Sequence, residues 1–258
     1  MLSNPARRGS ILRRLLAVLN VSSPRSCETC HATLLSWYMC EIVCQAVLFD
    51  MDGVLIDSAP AVARVWSGWA LEHGFDPNEV IKRAHGRPSL LTIREYLPDC
   101  DHEAENWKIE SCEMADLEGV KPLPGASQLL SNLPAGSWTI VTSATRPLAE
   151  VRLQHCGLPI PDSIVTASDI TRGKPDPDPY LKAASLLEVD APDCVVVEDV
   201  PFGILAGKRA GARVIAVRTT YPDSELAPFG PDWVVDTCSS IAVGPSSRKS
   251  NIKLRLTV

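Results

Sequence analysis

The chain has 258 residues, of which 45% are hydrophobic and 22% are charged, and its formal net charge is −6. This composition excludes a disordered or collagen-like chain, and the length is sufficient for one large or two modest domains. The net negative charge argues against nucleic acid or an anionic membrane as the main partner, but it allows a local cationic pocket for a small anionic substrate.

Residues 1–44 differ in composition from the rest of the chain. They contain five arginines, and the first acidic residue is Glu28. Such an arginine- and serine-rich segment is typical of an organelle transit peptide, so we predict an unstructured N-terminal extension over 1–44. An alternative hypothesis is that translation starts at Met39. Cys27 and Cys30 form a CxxC motif, but the cysteine spacing matches no complete set of zinc ligands.

The cysteines and the apolar stretches do not indicate a secreted or membrane-spanning protein. Nine cysteines, an odd number, are spread over a mid-sized chain, which fits a reducing compartment better than a disulfide scaffold. We therefore predict a cytoplasmic location. The nearly uncharged stretch 32–49 is interrupted by Glu41, and we interpret it as a buried strand and not as a membrane span.

From residue 45 onward, short apolar runs alternate with helical patterns. Strands are predicted at 45–49, 138–142, 163–166, 194–197, 213–217 and 233–235. Helices are predicted at 126–133, 178–187 and 203–210. Strands that are separated by one helix each pair in parallel through right-handed crossovers, so the predicted fold is a doubly wound parallel α/β sheet of the Rossmann-like type.

The interval 59–119 interrupts this alternation, because it contains helical patterns and no strong strand. The patterns cover 61–73, 77–84, 89–96 and 103–116. A helical insertion after the first strand would cover the edge of the sheet at which ligands bind in such folds. We therefore predict a catalytic core at 45–58 and 120–240, an inserted helical cap at 59–119, and a C-terminal tail at 241–258, whose Ser, Lys and Arg content after Gly244 suggests a loose end.

Two aspartates directly follow the first predicted strand. In an extended backbone, side chains at positions i and i+2 point the same way, so Asp50 and Asp52 project together, and Gly53 then permits a sharp turn. Two carboxylates at this distance repel each other unless they share a cation or one of them holds a proton. Both arrangements suit phosphoryl transfer.

Three further strand ends carry residues that suit phosphate chemistry. Ser143 and the backbone N–H of Ala144 follow the strand at 138–142, where they could hold phosphate oxygens. Lys174 lies in a loop stiffened by prolines and offers a fixed cation. Glu198 and Asp199 follow a fully apolar strand, where their oxygens could bind a metal ion.

Four segments together resemble a known family: 48–58 (LFDMDGVLIDS), 141–143 (VTS), 173–177 (GKPDP) and 196–203 (VVEDVPFG). In this order they are similar to the haloacid dehalogenase-like hydrolase superfamily, over about 45–236. Within it the chain looks most like the β-phosphoglucomutase-like branch, especially sugar and polyol phosphatases of the 2-deoxyglucose-6-phosphatase and glycerol-phosphatase type. The resemblance implies an enzyme that uses Mg²⁺ and hydrolyses small phosphorylated sugars or polyols.

The resemblance also assigns roles to the residues at matching positions. It implies that Asp50 is the nucleophile, which forms an aspartyl-phosphate, and that Asp52 is the general acid and base. Mg²⁺ would be bound by Asp50, the backbone carbonyl of Asp52 and Asp199, with Glu198 in support. Three groups would hold the phosphoryl oxygens: Ser143, the N–H of Ala144, and Lys174.

The resemblance places the cap loop 85–89 (HGRPS) at the substrate. Arg87 is a candidate for binding sugar hydroxyls or a second phosphate, and an exposed surface position is the alternative. For His85 a structural role is favoured. Three cap tryptophans lie at helical spacings, and core packing is favoured over sugar stacking for Trp66, Trp69 and Trp107.

Two alternatives to a phosphatase are weighed. A mutase must retain a bisphosphorylated intermediate, and the resemblance implies a histidine twelve residues after the nucleophile in mutases, where this chain has Val62. That difference favours hydrolysis. A non-catalytic binding protein on the same fold is the remote alternative, and the intact set of catalytic candidates argues against it. The expected partner is a small phosphorylated sugar or polyol, and the expected state is a monomer.

Overall fold

The fold is described from a computed structural model, which covers residues 39–245 and 251–257. The CxxC motif and most of the predicted extension lie outside the described residues. The helices are α1 (Ala59–Glu72), α2 (Pro77–Ala84), α3 (Ser89–Tyr96), α4 (His102–Ala115), α5 (Ala126–Asn132), α6 (Arg146–His155), α7 (Asp178–Leu186), α8 (Pro201–Arg209) and α9 (Asp223–Leu226). The strands are β1 (Met39–Cys44), β2 (Ala46–Phe49), β3 (Ile56–Asp57), β4 (Lys121–Pro122), β5 (Trp138–Val141), β6 (Ile164–Val165), β7 (Cys194–Glu198), β8 (Arg213–Val217), β9 (Trp233–Val235), β10 (Ile241–Gly244) and β11 (Ile252–Thr257).

The central sheet has six parallel strands in the order β6-β5-β2-β7-β8-β9. Strands β2, β5 and β7 are buried along their whole length, which explains why their sequences are apolar runs and not alternating patterns. The chain order runs outward from β2 to β6 and then restarts on the other side at β7. The predicted doubly wound α/β fold is confirmed.

Two apolar layers cover the faces of this sheet, because successive side chains of a strand point to opposite faces. Val47 and Phe49 pack in one layer, together with residues from α5, α6 and β11. Ala46 and Leu48 pack in the other layer, against residues from α7 and α8. Helix α6 is not among the predicted helices.

The two ends of the described chain form a second sheet, which corrects the predicted boundaries. Strand β11 pairs antiparallel with β1 on one side and with β10 on the other. Ile252, Leu254 and Leu256 are buried, while Lys253 and Arg255 on the alternate positions pair with Glu41. The prediction of a loose end after Gly244 is therefore wrong for β11, and residues 39–44 of the predicted extension belong to this sheet.

Helices α1 to α4 are called the cap below. They lie between β3 and β4, which pair antiparallel where the chain leaves the central fold and returns to it. The helices share a small apolar cluster that includes Trp66 and Trp69. The expected core packing is thus confirmed for these two side chains. It is wrong for Trp107, which is 64% exposed. Within the described residues, no helix is both long and apolar enough to cross a membrane.

Candidate active site

The candidate catalytic residues lie at the carboxyl ends of neighbouring strands. Asp50 follows β2, Ser143 comes two residues after β5, and Glu198 and Asp199 close β7. Strands β2 and β7 are the pair at which the strand order reverses, and the crevice at such a reversal is where doubly wound sheets bind ligands. The parallel register therefore brings together residues that are far apart in the sequence.

Lys174 connects the two acidic strand ends. Its Nζ donates to Asp50 Oδ1, to Glu198 Oε1 at 2.6 Å, and to the carbonyl oxygen of Val141 at 3.1 Å. The side chain is only 3% exposed. Burial alone would lower the pKa of Lys174, but the charges of Asp50 and Glu198 raise it above its ordinary value, so the ammonium form persists.

Glu198 supports this lysine from behind. Its Oε1 also accepts from the Tyr180 hydroxyl at 2.7 Å. Its Oε2 accepts from the backbone N–H groups of Asp199 and Val200 at 3.0 and 3.3 Å. Both carboxylate oxygens are thus occupied, and the absence of a side chain at Gly203 permits helix α8 to approach them closely, since a Cβ there would lie 1.8 Å from Oε1.

Asp199 offers the free oxygen that a cation would need. Its Oδ2 accepts from the Thr220 hydroxyl, while its buried Oδ1 has no hydrogen-bond partner among the described residues. One oxygen each from Asp50, Glu198 and Asp199 lie within 4.8 Å of one another. Burial and the charges of Glu198 and Asp50 raise the pKa of Asp199 well above its usual range.

This excess of buried negative charge fits a divalent cation. Burial likewise raises the pKa of Asp50 to about 7, although Lys174 opposes the shift. Three carboxylates face one ammonium, and carboxylate oxygens are the ligands that Mg²⁺ prefers. A bound cation would hold Asp50 and Asp199 ionised. The residues present therefore fit the metal that the sequence predicts.

The Asp52 side chain is held by residues outside the acidic cluster. Its Oδ1 accepts from the Ser58 hydroxyl at 2.6 Å, and both of its oxygens accept from the guanidinium of Arg152, at 3.1 and 3.2 Å. Its side chain, 30% exposed, lines the same cavity as Asp50 and Lys174. The two aspartates thus have different partners, Lys174 for Asp50 and Ser58 and Arg152 for Asp52. The role of the Asp52 backbone carbonyl as a metal ligand stays a prediction.

The loop after β5 lies between the core and the cap. The hydroxyl of Ser143 donates to the carbonyl oxygen of Gly86 in the cap at 3.3 Å. The backbone N–H of Ala144 donates to Thr142 Oγ1 at 3.1 Å. Both residues line the cavity, as expected for phosphate-binding groups, and their binding role stays a prediction.

The predicted cap loop also reaches the cavity. Arg87 and His85 are among its lining residues. Arg87 pairs with Glu95 on α3 at 3.0 Å, and its side chain is 19% exposed. Burial lowers the pKa of His85, which favours its neutral form. The assignment of Arg87 to substrate binding stays a prediction.

Three charged residues of this cavity are absent from the sequence-based candidates. All three line the cavity, and each is at most 6% exposed: Arg152, Glu110 and Glu113. Charged side chains in an otherwise amphipathic helix give no local sign that tertiary packing will bury them. Helix α6, which carries Arg152, did have a sequence signal, because Thr145 is a suitable N-cap residue, Pro147 follows in the first turn, and apolar residues recur up to Leu153.

Comparison with known proteins gives a consistent family assignment. The family model "Haloacid dehalogenase-like hydrolase" matches residues 47–217. Hexitol phosphatase A of Escherichia coli (strain K12) is 46% identical over 179 residues, which cover 67% of this chain and 83% of the relative. Glycerol-1-phosphate phosphohydrolase 2 of Saccharomyces cerevisiae is 37% identical over 212 residues, covering 77% and 84%. A solved family IA, variant 3 HAD hydrolase of Entamoeba histolytica has a TM-score of 0.67 and 29% identity, covering 77% and 95%.

The doubly wound fold, the acidic strand ends and these matches define the class. The chain belongs to the haloacid dehalogenase-like hydrolase family. It is a phosphoric monoester hydrolase, since the curated relatives that cover most of it are phosphatases of this family. The predicted family and enzyme class are confirmed, and the remote alternative of a non-catalytic binding protein is set aside.

Proposed function

We propose that this protein is a Mg²⁺-dependent phosphatase of small sugar or polyol phosphates that works through an aspartyl-phosphate intermediate. One observation carries the proposal. Asp50 contacts the ammonium of Lys174 beside the unpartnered oxygen of Asp199, at the strand-order reversal of the sheet. A nucleophile, a fixed cation and an unpartnered metal-ligand oxygen are thereby brought together at one site.

The substrate class is supported by the relatives and by the size of the cavity. The relatives described above are named for hexitol phosphate and glycerol 1-phosphate. The cavity between cap and core has a volume of about 70 Å³, several times the roughly 10–15 Å³ that one water needs on the same measure. A space of this size favours a compact ester over a nucleotide.

The chain's own residues divide the first chemical step between them. A carboxylate oxygen of Asp50 attacks phosphorus as the bond to the leaving oxygen breaks, and Asp52 gives its proton to that oxygen. In the second step Asp52 takes a proton from water, whose oxygen attacks the phosphorus of the aspartyl-phosphate and releases inorganic phosphate. The free Asp50 carboxylate is then restored.

Binding groups surround the position of the phosphoryl group. Ser143, the N–H of Ala144 and Lys174 would donate to its oxygens as charge redistributes. Asp50, the Asp52 carbonyl and Asp199 would hold Mg²⁺, with Glu198 in support, and the bound ion would offset the repulsion between the nucleophile and the dianionic ester. Arg87 would bind hydroxyls of the substrate from the cap.

Hydrolysis is favoured over phosphosugar mutation. Val62 lines the cavity at the position where the family resemblance implies a histidine in mutases. Nearby, the buried carboxylate of Glu110 on the cap helix α4 lines the same cavity, and it would repel the second phosphate that a mutase intermediate carries. We also propose that the enzyme is cytoplasmic and acts as a monomer. The free thiols at the seven cysteines of the described residues are consistent with a reducing compartment.

The function is tested with a panel of phosphate esters. Purified enzyme with Mg²⁺ is given glycerol 1-phosphate, hexitol phosphates, 2-deoxyglucose 6-phosphate and FMN, and released phosphate is measured. We expect kcat/KM at least about tenfold higher for one of the small esters than for FMN. Exhaustive EDTA treatment should stop phosphate release, and added Mg²⁺ should restore it.

Two outcomes would contradict the proposal. Failure to release phosphate from any ester in the presence of Mg²⁺ would remove the hydrolase assignment, and full activity after EDTA would remove the metal. A mutase arm uses β-glucose 1-phosphate with a trace of the 1,6-bisphosphate. Glucose 6-phosphate as the product would favour the mutase, whereas inorganic phosphate would favour the phosphatase.

A further inference from the structure

Arg152 is a buried arginine that links a catalytic group of the core to the cap. It lies on α6, and its side chain is 4% exposed. One terminal nitrogen donates to both carboxylate oxygens of Asp52, at 3.1 and 3.2 Å. The other donates to Glu113 Oε2 on the cap helix α4, at 3.2 Å. A single guanidinium is therefore shared between Asp52 and the cap.

These bonds restrict the orientation of Asp52. Together with the bond from Ser58 at 2.6 Å, they place donors on both oxygens of a carboxylate that would otherwise be free to rotate in a partly open cavity. A general acid must lie within hydrogen-bond reach of the atom that it protonates. The positive charge of Arg152 also stabilises the carboxylate that forms when the proton leaves.

Glu113 in turn fixes Arg152 from the cap side. Its other carboxylate oxygen accepts from the indole N–H of Trp66 at 3.1 Å, so it is held by a second cap residue. A buried charge requires a partner, so Arg152 is best satisfied when both Asp52 and Glu113 are in place. One helical turn earlier, Glu110 accepts from the Thr145 hydroxyl of the core at 2.5 Å. Helix α4 thus contacts the core through the carboxylates of Glu110 and Glu113. Of these two, Glu113 binds Arg152, which in turn binds Asp52.

We propose that Arg152 is a positioning residue for Asp52 and that Glu113 holds it from the cap, so that protonation of the leaving group requires a seated cap. This inference rests on the proposed function, because it takes Asp52 as the acid and base. Arg152 does not exchange a proton itself. It orients the carboxyl group whose proton moves to the leaving oxygen as the phosphorus–oxygen bond breaks.

The experiment compares two esters that differ in their need for an acid. The alkoxide leaving from glycerol 1-phosphate must be protonated, whereas the nitrophenolate leaving from p-nitrophenyl phosphate is stable without a proton. In single turnovers with Mg²⁺, we expect Arg152→Met to slow glycerol release by about 10²-fold. The first-turnover release of p-nitrophenol should fall by less than about tenfold in the same variant, because Asp52 contributes little to that step.

Three further variants separate positioning from a structural role. Arg152→Lys keeps the charge and should recover part of the lost rate on glycerol 1-phosphate. Glu113→Gln should slow glycerol release selectively, and adding it to Arg152→Met should cause no further loss, because Glu113 acts through Arg152. Arg64→Met removes an exposed cap arginine that is bidentate to Asp116, and it should leave both rates unchanged.

The outcomes distinguish this inference from the proposed function. Equal losses on both esters, or normal glycerol release by Arg152→Met, would overturn the positioning role. If Arg152→Met does not fold, then equal losses on both esters in Arg152→Lys and Glu113→Gln would overturn it. If the wild-type enzyme releases phosphate from no ester of the panel, the proposed function itself fails; if it prefers another sugar or polyol phosphate, that ester replaces glycerol 1-phosphate in the comparison.

Discussion

In the catalytic core, the buried carboxylates of Asp50, Glu198 and Asp199 stand at strand ends, whereas the charged residues that the cap brings to the cavity lie on a helix and in a loop. Asp50 and Asp199 are fixed by the register of β2 against β7. Glu113 and Arg87 are placed by the packing of α1 to α4. The site residues of the core, here called the core wall, are therefore positioned mainly by the sheet. The cavity residues of the cap, here called the cap wall, are positioned by the packing of helices α1 to α4 against the core.

The difference shows in the hydrogen bonds as well. Each core carboxylate is held by core residues, as Glu198 is by Lys174, Tyr180 and two backbone N–H groups. The cap carboxylates are held partly by the core, through Arg152 and Thr145. The core can thus assemble its charges alone, whereas the cap wall is complete only in contact with the core.

The largest expected effect tests the core wall at its nucleophile. Asp50→Asn should lower turnover of the best ester by at least about 10⁴-fold, because the amide cannot form the aspartyl-phosphate. The fold should persist, since the amide has nearly the same shape and removes one of three crowded carboxylates. Phosphate release and the melting temperature are measured together. Near-normal turnover in this variant would refute the nucleophile assignment.

The next effect concerns the cation of the core wall. Lys174→Met should lower kcat by about 10²–10³-fold, through loss of a positioned phosphate-binding group. It should also lower the free energy of unfolding by about 3–5 kcal/mol, because Asp50 and Glu198 lose their buried partner. The matched control is Lys208→Met, which removes an exposed pair with Asp232 and should cost at most about 1 kcal/mol. Similar stability in the two variants would show that Lys174 does not balance these acids.

Much of the core wall could be predicted from the sequence. The apolar runs give the buried strands, and the parallel crossovers bring their carboxyl ends to one edge, so Asp50, Glu198 and Asp199 are identified before any coordinates. Lys174 is identified by its proline-stiffened loop and by the family resemblance. The order of the strands in the sheet is not contained in those runs. Pairing of β2 with both β5 and β7 is a tertiary result.

The cap contacts and the second sheet could not be predicted in the same way. Arg152 is 100 residues from Asp52 and 39 from Glu113 along the chain, so no local pattern connects them. The strand β11 alternates apolar and charged residues, but its Lys253 and Arg255 indicate a loose end until Glu41 is placed opposite them. The pairing of such charges depends on the partner and not on the segment itself.

A pair of glycine substitutions compares the two regions directly. In Gly203→Ala the new methyl group would lie 1.8 Å from Glu198 Oε1, so helix α8 or Glu198 must move. We expect a loss of about 1–3 kcal/mol in the free energy of unfolding and at least a tenfold lower kcat. Gly68→Ala in the cap helix α1 meets no atom within 4 Å, and it should stabilise the protein by up to about 1 kcal/mol. Unchanged activity in Gly203→Ala would show that the core tolerates a shift of Glu198.

The last expected effect is a pH dependence of stability from Glu113 on the cap helix α4. Burial raises the pKa of Glu113 to about 7, against the lowering effect of Arg152, and Asp52 and Glu110 add to the increase. A carboxyl group whose pKa is higher in the folded than in the unfolded protein contributes stability below its unfolded pKa, and that contribution is lost as the pH rises through its folded pKa. The relevant range is therefore from the ordinary value of 4.5 to about 7.

Glu113→Gln removes this titration and keeps a side chain of the same shape. Urea unfolding of both proteins at pH 5 and pH 8 gives the difference in free energy of unfolding at each pH. We expect this difference to move in favour of the variant by up to about 3 kcal/mol at the higher pH, at about 1.4 kcal/mol for each unit of the pKa shift. The groups common to both proteins cancel in the comparison. A difference that is the same at both pH values would mean that the ion pair with Arg152 fully offsets the effect of burial on the pKa of Glu113. The charge of Glu113 in the cap wall would then be compensated by Arg152, as the charges of Asp50 and Glu198 are compensated by Lys174 in the core wall.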